Sequence, residues 1–233
     1  MPRALVLRHH LEDYPGLIGE ALEQRGYRID VAMMDELSPT PSLDGYDLLV
    51  ILGSKSAAYD HEVLNGWFGR ELTLIGDAEA RALPILGICF GAQALCVYHG
   101  GEVTPSTEPE IGWYEIEPVN ESPIPKGPWF EYHFDRCILP EGATLWARSE
   151  SVVQAFAIGW HVGVQFHPEL DHLQLRDWFE TGEDEARAFG VDIEALMAQT
   201  EDETPAARER AMELVDVFLR FVGSGNAPPA FVT

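Results

Sequence analysis

The stretch that most constrains the fold runs from Leu83 to Gln93, where the apolar run Leu83-Pro84-Ile85-Leu86 passes through Gly87-Ile88-Cys89-Phe90-Gly91 into Ala92-Gln93-Ala94-Leu95-Cys96-Val97. A short apolar run bounded by Pro and Gly reads as a buried strand, and the segment after it is compatible with a helix. The chain must therefore turn sharply at Cys89. Backbone segments approach that closely only where side chains are absent, which Gly87 and Gly91 provide. The turn holds Cys89 out at a strand end and at a helix N-terminus, whose unpaired N–H groups and positive dipole end favour a thiolate over a thiol. The Phe90 N–H points to where an oxyanion would form on a carbonyl attacked by Cys89.

The rest of the chain repeats this alternation. Strand-like segments are expected at Ala4 to Leu7, Ile29 to Met33, Leu48 to Leu52 and Ile85 to Ile88, with helices near Leu17 to Arg25 and Trp67 to Leu83. Residues 102–157 are richer in Pro and Gly and read as shorter strands and turns with an antiparallel arrangement. Helical periodicity returns around 173–179, 184–189, 193–199 and 206–222. This pattern predicts an α/β fold of three layers, an open, mostly parallel sheet flanked by helices, with a smaller antiparallel portion at 102–157. Residues 1–222 read as one domain, and 223–233, rich in Gly and Pro, as a flexible C-terminal tail.

The second informative stretch is Gly163-Val164-Gln165-Phe166-His167-Pro168-Glu169. Pro168 disfavours helical geometry at His167, and in extended chain residues two apart project to the same side, so Glu169 is expected beside His167. A carboxylate on one ring nitrogen fixes the tautomer and leaves the other to take the Cys89 proton and later return it. Cys89, His167 and Glu169 then form a nucleophile, base and orienting acid. Ligands in α/β sheets bind at the carboxyl ends of strands, where Gly53, Cys89 and His167 each fall. His9 and His10 also end the first strand but read as ordinary polar loop residues. His161, His167, Asp171 and His172 are close in sequence without zinc-type spacing, so no metal site is expected. No cofactor is expected either.

These motifs resemble those of the class I glutamine amidotransferases, in particular the branch similar to the glutaminase domain of GMP synthetase. Pro84 to Gln93 and Gly163 to Glu169 match its two signature stretches. Leu52 to Asp60 resembles its oxyanion loop, Glu110-Ile111-Gly112-Trp113 a stretch that follows the nucleophile helix, and His133-Phe134-Asp135 and Gln154-Ala155-Phe156 fall in register. The resemblance implies a flavodoxin-like α/β/α fold and a stand-alone member of that branch. It implies hydrolysis of the glutamine side-chain amide through a γ-glutamyl thioester on Cys89. It further implies Gly53, Ser54 and Phe90 as the oxyanion hole and Gln93, Gly112, Trp113 and His133 as substrate-binding residues. A separate synthase subunit would be the ammonia acceptor. One departure is visible: the family loop usually reads Gly-Gly-Pro, whereas this chain has Gly53-Ser54-Lys55. That version resembles γ-glutamyl peptidases, so a γ-glutamyl conjugate is the alternative substrate. A non-catalytic interaction protein that keeps the fold is a third reading, against which the intact Cys89, His167 and Glu169 argue.

Composition restricts the remaining options. Against 39 acidic residues stand 15 basic ones, and a net charge of −24 repels a phosphate backbone, so nucleic acid is not an expected partner. No apolar stretch approaches the roughly 20 residues of a membrane helix, and Met1-Pro2-Arg3 leads directly into strand-like sequence rather than a secretory leader. Three cysteines, Cys89, Cys96 and Cys137, without metal spacing fit reduced thiols in a cytoplasmic enzyme. Oligomeric state is not legible in the sequence.

Overall fold

The computed structural model describes residues 1–119, 121–150 and 152–223, apart from the side chains of residues 181 and 185. The expected tail at 223–233 lies outside the described residues except for Gly223. Five parallel strands form one side of a sheet: β1 (Arg3–Arg8), β2 (Arg28–Met33), β3 (Leu48–Ile51), β4 (Ile85–Ile88) and β10 (His161–Val164), in spatial order β2-β1-β3-β4-β10 from the edge inward. Antiparallel β9 (Val153–Ile158), β8 (Thr144–Arg148) and β6 (Glu117–Pro118) extend it beyond β10 to eight strands. The first four strands coincide with the expected ones to within a residue at every end.

Alternation along each strand builds a core on both faces. Ala4, Val6, Leu48, Val50, Leu86, Ile88, Val162 and Val164 face helices α1 (Gly16–Gln24) and α6 (Ile193–Gly223), which supply Leu17, Ile18, Leu22, Leu214, Val215 and Phe218. Leu5, Leu7, Leu49, Ile51 and Ile85 face α3 (Trp67–Ala80) and α4 (Phe90–Tyr98). Short α2 (His61–Asn65), which the periodicity does not announce, precedes α3 and is capped by Asp60, whose side chain accepts from Glu62 N–H. The result is the expected three-layer α/β/α arrangement.

Two expectations need correction. The region 102–157 is antiparallel, but β5 (Glu102–Tyr114) and β7 (Trp129–Ile138) are long, and they form a separate two-stranded sheet with a register shift between Pro105 and Glu110. Proline in a strand is tolerated at such an irregularity. The four helical patches after Glu169 are two continuous helices, α5 (His172–Ala188) and α6. Helix α6 runs through Pro205 because Ala207, Ala211, Leu214, Val215 and Phe218 bury against the sheet, and that burial outweighs one lost backbone bond. A third cluster, Phe130, Leu170, Leu175, Phe179, Ile193 and Leu196, joins α5 and α6 to the small sheet, so α5 overlies the ends of the central strands. Among the described residues no helix is long and apolar enough to cross a membrane.

Candidate active site

Cys89 joins β4 directly to α4 with φ 51° and ψ −104°, a strained conformation for a residue with a Cβ. Its N–H donates to Val164 O at 2.8 Å, and its carbonyl accepts from Gln93 N–H at 3.1 Å, which locks the turn between β10 and the first turn of α4. A Cβ on Gly87 would stand 2.5 Å from the Gly91 backbone, and one on Gly91 would stand 2.2 Å from Ile51 O. The glycines are therefore required for close approach of β4, α4 and β3.

His167 reaches the same place from the end of β10, with its N–H bonded to Phe130 O of β7 at 2.8 Å. The chain turns at Pro168 and Glu169, directly after His167, with Leu170 N–H folding back to His167 O at 3.4 Å. The side chains still meet: His167 Nδ1 lies 2.7 Å from Glu169 Oε1. Glu169 is itself anchored, because its carbonyl accepts from Leu17 N–H at 2.8 Å and so satisfies a donor of the first turn of α1. A Cβ at Gly53 would be 3.0 Å from His167 Cε1 and 3.6 Å from Cys89 Cβ, so the imidazole and the thiol flank one point. Burial alone would strip His167 of its proton, but Glu169 and Cys89 reverse this and hold its pKa well above the ordinary histidine value. His167 Nε2 is buried, and Glu169 takes the other nitrogen.

A cavity of about 570 Å³ opens above these groups. Gly53, Ser54, Cys89, Gln93, His133 and His167 all line it, so the structure brings most of the expected site residues together. Phe90 contributes its backbone at the first position of α4, while its ring is buried at 5.3 Å from both His9 and Trp67. Gly112 and Trp113 are elsewhere. A Cβ on Gly112 would face Leu196 of α6, and Trp113 donates its indole N–H to Thr200 Oγ1 at 2.9 Å and packs edge-on against Phe130. Neither lines the cavity, and both lie where the small sheet meets α6 and Phe130.

Sequence reasoning also passed over several groups. Gln165 donates its amide to Cys89 Sγ at 3.5 Å and accepts from Gln93 Nε2 at 3.3 Å, linking the two signature stretches. Its place two residues before His167 in the same motif was the available signal. Asp13, Tyr59, Tyr132, Trp178 and Phe179 also stand in the cavity wall. Trp178 stands edge-on to His167 at 5.0 Å between centroids. His9 is not the polar loop residue expected: it is 5% exposed and bonded to the Gly53 carbonyl and to Glu71.

Behind the cavity, His133 Nε2 lies 3.0 Å from Glu110 Oε2 and 3.3 Å from Glu131 Oε2, and Gln154 donates to Glu110 Oε2 at 2.7 Å. Burial opposes the charge on His133, yet the two carboxylates raise its pKa to about 10. Burial raises Glu131 to about 7 despite the imidazolium beside it. A second cluster, Glu79, His99 and His161, is no ready metal centre. Ile85 N–H donates to His161 Nδ1 at 3.1 Å, which leaves the proton on Nε2, the atom that faces Glu79. Asp171, also close in sequence, caps α5 by accepting from Leu173 and Gln174 N–H.

Comparison with known proteins places the fold and the family. The family model for glutamine amidotransferase class-I matches residues 12–177. The chain is 33% identical over 175 residues to a glutamine-hydrolyzing GMP synthase subunit of Sulfurisphaera tokodaii, covering 69% of this chain and 86% of that one. It is 29% identical over 213 residues to gamma-glutamyl-L-1-hydroxyisopropylamide hydrolase of Pseudomonas sp, covering 82% and 67%. It spans only 31%, 20% and 53% of three further GMP synthase sequences. A glutamine amidotransferase structure from Thermotoga maritima superposes with a TM-score of 0.85 at 28% identity, over 95% of this chain and 98% of that chain. The chain belongs to the class-I glutamine amidotransferase family.

Proposed function

We propose that this chain hydrolyses the side-chain amide of glutamine, with Cys89 as nucleophile, His167 as base and acid, and Glu169 orienting the imidazole. The observation that carries the proposal is the Glu169–His167 pair, 2.7 Å apart, beside Cys89 on the floor of a cavity. His167 Nε2 takes the thiol proton, and the sulfur adds to the amide carbon. The carbonyl electron pair moves to oxygen, which the Ser54 and Phe90 N–H groups stabilise. Collapse expels ammonia, protonated by His167, and leaves a γ-glutamyl thioester on Cys89. Water, deprotonated by His167, then releases glutamate and the thiol. The name of the Sulfurisphaera relative supports glutamine as substrate and, for the released ammonia, an acceptor in a separate synthase chain.

The wall of the cavity supports a second reading. Trp178 stands against His167, the residue that would protonate the leaving amine, and Tyr132 and Phe179 continue an aromatic surface there. Ammonia has nothing to place on such a surface, whereas a γ-glutamyl amide with an apolar amine does. The Pseudomonas relative carries the name of such a hydrolase. The test is to measure glutamate and amine released from glutamine, γ-glutamyl ethylamide and γ-glutamyl dipeptides. Turnover of glutamine alone favours the first reading, a preference for the ethylamide the second. Turnover that survives Cys89→Ala contradicts both.

A further inference from the structure

We infer that His9 and Glu71 are positioning residues that hold the Gly53–Ser54 peptide in the orientation needed for oxyanion binding, an inference that rests on the proposed role of Cys89. Residue 9 follows the last residue of β1, and Glu71 lies in the middle of α3. His9 Nδ1 is 2.7 Å from Gly53 O and Nε2 is 2.8 Å from Glu71 Oε2. Glu71 is fully buried and His9 nearly so, with Trp67 at 4.7 Å and Phe90 at 5.3 Å between ring centroids.

Stability does not account for this pair. Placing a carboxylate and an imidazole among aromatic rings carries a large desolvation cost, and a buried pair of this kind is often no better for stability than apolar side chains of the same volume. Glu71 Oε1 is moreover buried without a hydrogen-bond partner. The geometry instead serves the loop. The Gly53 carbonyl accepts one bond from the ring, so Nδ1 carries a proton. A trans peptide directs the Ser54 N–H opposite to that carbonyl, away from His9. Gly53 and Ser54 both line the cavity next to Cys89. Both partners of the ring, a carbonyl and a carboxylate, are acceptors, and although burial lowers the pKa of His9, Glu71, the Gly53 carbonyl and Asp13 together raise it above the ordinary histidine value. Gly53-Ser54-Lys55 has neither the second glycine nor the proline of the usual loop, so an external clamp on the carbonyl replaces the missing rigidity.

The test compares His9→Ala, His9→Asn and Glu71→Gln with the unaltered protein and with Cys89→Ala, using the best substrate found among glutamine and the γ-glutamyl amides. His9→Ala is expected to lower kcat by about 10- to 100-fold with little change in KM, since an oxyanion donor acts on the transition state and not on the bound substrate. His9→Asn retains a donor near the Nδ1 position and is expected to recover part of kcat. Affinity for a γ-glutamyl aldehyde, whose adduct with Cys89 carries the oxyanion, should fall in step with kcat. Should His9→Ala not fold, Glu71→Gln carries the same comparison with a smaller loss. Unchanged kcat in the His9 and Glu71 variants beside an inactive Cys89→Ala overturns the positioning role alone. Retained activity in Cys89→Ala overturns the reading of the site on which it rests. A KM effect that tracks melting temperature, with no loss in kcat, also overturns it.

Discussion

At the residue scale, the proposed chemistry depends on two ring nitrogens of His167 having different partners. Glu169 holds Nδ1, and Nε2 is left for the thiol. Cys89→Ala is expected to remove hydrolysis, and His167→Ala to lower kcat by about 10²- to 10⁴-fold, the usual range for a general acid–base group. Glu169→Gln should lose less, because it removes orientation and charge rather than the transferred proton. Steady-state kinetics on the three purified variants gives the ranking, and a Glu169→Gln loss larger than that of His167→Ala contradicts it. Gly53→Ala places a methyl group 3.0 Å from His167 Cε1 and is expected to impair kcat with the fold intact. Cys89, His167 and Glu169 were readable from sequence because turn chemistry and side-chain chemistry coincide there. His9 was not, because its partner Glu71 lies 62 positions away in an amphipathic helix where a glutamate ordinarily reads as solvated.

At the element scale, the strand–turn–helix around Cys89 tolerates no extra atoms. Gly91→Ala would force a Cβ to 2.2 Å from Ile51 O, and its destabilisation is expected to exceed about 3 kcal/mol, measurable by denaturant unfolding or evident as loss of folded protein. The β5–β7 sheet carries a pH-dependent element. Glu131 has its folded pKa raised to about 7, so it contributes stability while protonated and loses that contribution as pH rises from the unfolded carboxylate range through about 7. Glu131→Gln should therefore flatten the dependence of melting temperature on pH between about 5 and 8, with its gain greatest at the alkaline end. Parallel pH slopes for the two proteins contradict this. Parallel strands β1, β3 and β4 were legible because their centres are buried on both faces and read as unbroken apolar runs. The continuous helices α5 and α6 were not, since local signals at Gly182 and Pro205 are overridden by burial against β7 and the central sheet.

At the scale of the whole molecule, the fold brings segments from residues 9, 53, 89, 133 and 167 to one end of the sheet, and α5 then covers that end with Trp178 and Phe179. This cover was not readable, because an amphipathic helix does not reveal which cavity its apolar face closes. Cys96 and Cys137 are buried away from the cavity, and the neighbouring Cys96 together with burial pushes the Cys137 thiol up. In the folded protein, a glutamine-like electrophile is therefore expected to label Cys89 alone, as read by peptide mass mapping. The most direct test of the central claim is to quench the enzyme with acid during turnover of its best γ-glutamyl substrate and map the adduct by mass spectrometry. The expected result is a γ-glutamyl group on the peptide that contains Cys89, absent in Cys89→Ala. Turnover with the acyl group on another residue, or undiminished turnover in Cys89→Ala, would contradict the account.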